Sequence, residues 1–159
     1  MTTKPHVNIL YIAGNEEAGK SPTCRNIKKI LIANKYKICY PPTDLENDDF
    51  IVRMKNDQNY VILCTASDLC RIINMLIEFC EQHKNSRNLT LILAARNKGD
   101  KKRNYLADRL EELFSIEEII EIPLVKINER AGKELHDWYH EAIDKLVEKI
   151  LSEKPFCLL

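Results

Sequence analysis

Residues 14–21, Gly14-Asn15-Glu16-Glu17-Ala18-Gly19-Lys20-Ser21, have the types and spacing of a loop that holds phosphate. Two glycines, Gly14 and Gly19, let a backbone curl until successive N–H groups converge on one anion. The lysine after the second glycine brings a mobile ammonium to the terminal phosphates, and Ser21 offers a hydroxyl to a Mg²⁺ ion. Such a loop works when a strand delivers it and a helix N-terminus backs it, because the helix N–H groups and dipole then face the anion. The sequence meets that condition. The apolar run "HVNILYIAG" ends at Gly14 and reads as a buried strand. Beyond Ser21, the residues Cys24, Ile27, Ile30, Leu31 and Asn34 recur at helical spacing, and Pro22 falls in the first turn, where its missing N–H is not needed. Glycine is scarce, four in 159 residues, so a loop holding two of them is not a product of composition.

The rest of the chain has to position this loop. "YKICY", "NYVILCTAS", "NLTLILAAR" and "IEEIIEIPL" predict further strands, the first of them stopped by Pro41-Pro42. Leu69, Ile72, Ile73, Leu76, Ile77 and Cys80 mark one face of a helix that Asp68 can cap, and Leu106, Leu110 and Leu113 mark another. A last helix over 132–152 has Leu135, Trp138, Ala142, Leu146 and Ile150 as its expected core face. "LENDDFIVRMKND" is short and polar and reads as one or two helical turns. Strand and helix thus alternate five times, with strands apolar throughout. The expectation is one three-layer α/β domain over 1–159 with a mainly parallel five-stranded sheet. Ligands of such sheets sit outside the carboxyl ends of the strands, here the loops after Ala13, Tyr40, Thr65, Ala95 and Ile122.

Bulk properties remove some function classes. Lys plus Arg and Asp plus Glu are 24 each, so no basic excess marks a nucleic-acid or membrane-surface binder. No apolar stretch reaches the length of a membrane span, and "MTTKPHVN" is too polar for a secretory leader. The six cysteines form no Cys-x-x-Cys pair; Cys39, Cys64, Cys70 and Cys80 lie in apolar runs and read as reduced core residues of a cytoplasmic protein. Cys157 is third from the end, one place short of a prenylation signal. His136 and His140 are four apart on the last helix without a third ligand, which makes a surface pair rather than a zinc site. Trp138 is expected to pack on the sheet.

Asn97-Lys98-Gly99-Asp100 closes the fourth predicted strand. With the upstream phosphate loop, in this order, it resembles the small Ras-like P-loop GTPases over roughly residues 6–150. The resemblance implies a P-loop NTPase-like fold binding GTP or GDP with Mg²⁺. It gives Asp100 the guanine N1–H and exocyclic amine, Lys98 the face of the base, and Asn97 a bracing role. A carboxylate accepts both guanine donors, whereas adenine presents a different edge. "NYVILCTASDL" is similar to the family's central strand, and "EEIIEIPLVKINERAGKELHDWYHEAI" to its final strand, base loop and terminal helix, with Pro123-Leu124 in place of Ser-Ala.

The chain departs from that family where the nucleotide is sensed. Asp-x-x-Gly is absent, and about 25 residues separate the first helix from "NYVILC", so one strand is expected to be missing and the switches shortened. Thr43 can stand in for the family's metal-binding threonine beside Ser21, and Asp44, Asp48 or Asp49 for a metal carboxylate. No glutamine follows to orient water, so hydrolysis is expected to be slow or absent. Two other readings stay open: a GTPase-like scaffold that binds a protein partner and no nucleotide, and a ParA/MinD-type ATP-binding protein. "RNKGDKKRNYLADRLEELFSIEEIIEIPL" is similar to the latter's late strand–helix–strand, although Asn15 stands where that family carries an extra lysine. A receiver-type (βα)₅ domain fits the strand count but would have an acidic residue where Cys64 stands.

Overall fold

The computed structural model describes residues 3–16, 18–67, 69–127, 130 and 132–159. Glu17 and Asp68, assigned above to the loop and to a helix cap, lie outside the described residues. In chain order the elements are β1 (His6–Ala13), α1 (Lys20–Ala33), β2 (Lys37–Asp44), β3 (Phe50–Lys55), β4 (Tyr60–Cys64), α2 (Cys70–His83), β5 (Leu89–Ala95), α3 (Lys101–Leu113), β6 (Ser115–Pro123) and α4 (Lys133–Ser152). The strands form one six-stranded sheet in the order β2-β3-β4-β5-β1-β6. The pairs β4–β5, β5–β1 and β1–β6 are parallel, while β2–β3 and β3–β4 are antiparallel. The strand count therefore corrects the expected five.

The added strand is β3, in the second half of the stretch expected to form one or two helical turns; the first half does hold one such turn, a 3₁₀ helix over Glu46–Asp48. Phe50, Ile51, Val52 and Met54 are buried, while the acidic flank Glu46–Asp48 forms the short helical turn before the strand and Lys55 ends it. No strand is missing between α1 and β4. Pro41 and Pro42 do not stop β2. They sit at a register shift between Cys39 and Thr43 on the sheet edge, where a residue without N–H is tolerated.

The sheet separates two cores. On one face α1 lays Cys24, Ile27 and Leu31, and α4 lays Ile143, Val147 and Leu151, over Leu10, Ile12, Leu63 and Ile92. On the other, Ile72, Ile73, Leu76 and Cys80 of α2 and Leu106 and Leu110 of α3 cover Ile9, Tyr11, Ile62 and Leu91. Phe156 and Leu158 fold back into the first core. The face of α4 differs from the one expected: Trp138 is 65% exposed, and Leu135 and Leu146 are 45% exposed. Both apolar stripes of α4 have helical spacing; the sheet takes the stripe that reaches α1 and the returning tail. Cys70 is likewise exposed, while Cys24, Cys64 and Cys80 are buried; all six cysteines are free thiols.

One topological consequence matters for function. The connection leaving β1 (α1) covers one face, and the connection leaving its neighbour β5 (α3) covers the other. The two chains diverge above the carboxyl ends of β1 and β5, which opens the crevice where such sheets bind ligands. A receiver-type order, with the first strand between the second and third parallel strands, is not what the sheet has.

Candidate nucleotide-binding site

The phosphate-type loop stands at that crevice. The Gly14 N–H donates to the Ala95 carbonyl (3.1 Å), fastening the start of the loop to the end of β5. A Cβ on Gly14 would lie 2.8 Å from the Ala18 Cβ and 3.2 Å from the Leu124 carbonyl, so the tight path admits no side chain there. Gly19 has φ +90°, the left-handed region that glycine enters without strain, and it leads directly into α1. No side chain caps α1. The N–H groups of its first turn thus face the loop, as an anion site requires. Lys20, only 6% exposed, donates from Nζ to the Gly14 carbonyl (2.6 Å), which holds the ammonium inside the curl of the loop. These features fit a bound phosphate chain.

Two clefts flank the loop. The first, about 400 Å³, lies toward β4 and β5 and is lined by Glu16, Gly19, Lys20, Ser21, Asp49 and Arg96 among others. Here the Ser21 hydroxyl donates to the Thr65 carbonyl (3.0 Å), and the Thr65 hydroxyl donates to Asp49 Oδ1 (2.8 Å) while accepting from the Phe50 N–H (2.9 Å). Arg25 pairs with Asp49 at 3.6 Å. Ser21 and Asp49 are thus the hydroxyl and carboxylate at hand for a Mg²⁺ ion, which commonly takes one or two carboxylates and completes its shell with phosphate and water. Thr43 lies in β2 opposite Ile51 and does not line this cleft; Asp44 and Asp48 do not line it either. Among the described residues no group of three or more His, Cys, Asp or Glu forms a metal site.

The second cleft, about 670 Å³, lies on the α4 side and is lined by Gly19, Pro22, Thr23, Val125, Ile127, His136, His140 and Asp144 among others. The rings of His136 and His140 stand 4.4 Å apart. His140 also closes on the loop: its Cε1 is 2.7 Å from where a Gly19 Cβ would be. The Tyr139 hydroxyl accepts from the Val125 N–H (2.9 Å), which ties α4 to the segment after β6. Partial burial raises the pKa of Asp144, opposed by a hydrogen bond with Asn26 and the attraction of His140.

The second sequence motif sits at the other end of the loop's hydrogen bonds. Asn97 Nδ2 donates to Asn15 Oδ1 (3.0 Å), so the two motifs touch across 82 residues. Asp100 is exposed and caps α3, accepting from the Lys102 N–H at 2.8 Å. Lys98 is exposed. Arg96, Thr65 and His140 carry much of the site and were not singled out as site residues from sequence. The closing "TAS" of the β4 run, small residues with two hydroxyls ending an apolar strand, is the signal that marks Thr65.

The sheet with its four helices and its glycine-lysine loop is compatible with a P-loop NTPase-like domain. Comparison with known proteins agrees at that level. The chain is 36% identical over 58 residues to the archaeal flagellar ATP-binding protein FlaH of Methanocaldococcus jannaschii. The matched segment is 36% of this chain and 24% of FlaH, so about a quarter of that protein is represented. No family model and no solved structure matches the chain. This supports the P-loop nucleotide-binding class, and nothing in it points to the small GTPases in particular. Among the described residues no helix is long and apolar enough to cross a membrane.

Proposed function

We propose that the chain binds a purine nucleoside triphosphate with Mg²⁺, holding the phosphates in loop 14–21 and the base in the cleft between α1 and α4. The observation that carries this reading is the buried Lys20 folded into an uncapped helix N-terminus behind two sterically constrained glycines. A nucleotide is a linear ligand. With its terminal phosphate and metal at Lys20, Ser21 and Asp49, toward β4, the base extends the other way. There Val125 and Ile127 offer apolar surface and His140 a ring. No carboxylate or glutamine of the sequence is assigned to activate water, and hydrolysis is expected to be slow.

A second reading, guanine held by Asn97, Lys98 and Asp100, draws on the Asn97–Asn15 hydrogen bond. It requires the base to lie on the β5 side of the loop, the side that also carries Arg96 and the metal-type groups. Calorimetry of the purified chain with ATP, GTP and GDP, each with Mg²⁺, tests both. Binding lost in Lys20→Ala supports the phosphate loop. A selective loss of GTP binding in Asp100→Asn supports the second reading; loss in His140→Ala with Asp100→Asn unchanged supports the first. A wild-type chain that binds none of the three nucleotides returns the molecule to the scaffold class, with a protein as its partner.

A further inference from the structure

Arg96 is the first residue after β5, at the crevice where the connections from β1 and β5 diverge. It lines the same cleft as Lys20, Ser21 and Asp49. Its side chain is 14% exposed, and its guanidinium Nη2 donates to Glu16 Oε1 at 2.9 Å. Glu16, by contrast, is 76% exposed and belongs to the phosphate loop itself. A carboxylate thus stands beside main-chain N–H donors and an ammonium that are suited to anions.

The main chain of Arg96 is anchored independently of its side chain. Its carbonyl accepts from Arg103 Nη1 at 3.0 Å. Arg103 is 7% exposed, pairs with Glu121 on β6, and stacks its guanidinium over the Tyr11 ring at 3.7 Å from the centroid. The backbone at Arg96 is therefore fixed to β1, α3 and β6, while the guanidinium reaches across to the loop. Guanidinium groups prefer phosphate in a two-pronged, charge-assisted contact, and a phosphate with two negative charges outcompetes a single carboxylate.

We infer that Arg96 reads the terminal phosphate of a bound nucleoside triphosphate, and that Glu16 is the internal anion which that phosphate displaces. The inference rests on the phosphate-loop reading above. A diphosphate ends one phosphoryl group short and leaves the Arg96–Glu16 pair intact, so the pair distinguishes tri- from diphosphate. This makes Arg96 a specificity-determining residue, and the exchange of partners gives the loop two charge states that a protein partner can sense.

The test is calorimetry of the full chain with ATP and ADP, each with Mg²⁺, and with GTP and GDP in parallel. Arg96→Gln is expected to weaken triphosphate binding about tenfold and to leave diphosphate binding within about twofold. Arg96→Lys retains part of the preference, because it keeps the charge and loses the fork. Glu16→Gln is expected to tighten triphosphate binding by about threefold, since the Glu16 carboxylate no longer competes for the guanidinium. A merely structural role for Arg96 would weaken both nucleotides alike. An Arg96→Gln effect that is equal on both nucleotides, or absent, while Lys20→Ala still abolishes binding, overturns this inference and leaves the phosphate loop standing. Loss of triphosphate binding in Glu16→Gln also overturns it. Wild-type binding that ignores Lys20→Ala, or no binding at all, overturns both.

Discussion

The two clefts beside the loop differ in size and in how far their polar groups are already engaged. Toward β4 and β5 the groups are charged or polar and already engaged: Ser21 on Thr65, Thr65 on Asp49, Asp49 on Arg25, Arg96 on Glu16. Toward α4 the walls are Pro22, Val125 and Ile127 with two imidazoles and the carboxylates Asp137, Glu141 and Asp144, and the cleft is larger, about 670 Å³ against about 400 Å³. A charged side held by its own hydrogen bonds is pre-organised for an ion of fixed geometry. A roomy side with rings, a few apolar walls and carboxylate acceptors is shaped for a flat heterocycle whose polar edge finds those acceptors. The difference teaches that a single loop can separate the reading of phosphate number from the reading of base.

Three substitutions break or sharpen that division. Lys20→Ala removes the group shared by both sides and is expected to weaken all nucleotides at least about a hundredfold, as charge-assisted contacts to a phosphate chain are lost together; calorimetry measures it. His140→Ala is next. It is expected to weaken di- and triphosphates equally, by about five- to tenfold, the worth of one stacked ring. An effect that depends on phosphate number would place His140 on the wrong side of the division. Asp100→Asn is expected to leave affinity for ATP and GTP within about twofold, because Asn caps a helix as well as Asp does; a GTP-specific loss would move the base to the β5 side.

The smallest effect concerns stability. Asp144 has a raised pKa from partial burial, so its ionised form is disfavoured in the folded chain. Its contribution is full below the unfolded value and is lost as pH rises through the folded one. Asp144→Asn is therefore expected to be more stable than wild type near neutral pH by a few tenths of a kcal/mol, discounted for exposure. The gain should vanish below about pH 4. Urea unfolding at the two pH values measures it; a gain that grows on acidification would contradict the assigned direction.

Much of this arrangement is legible in the sequence, and the limits have physical causes. The strands that carry the loop and the second motif, β1 and β5, are buried on both faces, and a continuous apolar run announces that. β3 is harder to see because its six residues include Arg53 and Lys55, and its charged flanks resemble a polar helical turn. The true face of α4 is ambiguous from spacing alone, since Leu135-Trp138-Leu146 and Ile143-Val147-Leu151 are both helical stripes. Arg96 and His140 belong to elements far apart in sequence from the loop. Only the strand order, which puts β5 and β6 on either side of β1, brings them to it.

The exposed indole of α4 has a practical meaning. Trp138 is the chain's one tryptophan, so fluorescence excited at the red edge comes from a single place. That place is the water-facing side of the helix turn whose inner side presses His140 onto Gly19. A ligand that displaces this imidazole shifts the turn beneath the indole, and the protein carries its own optical reporter for the loop without a label.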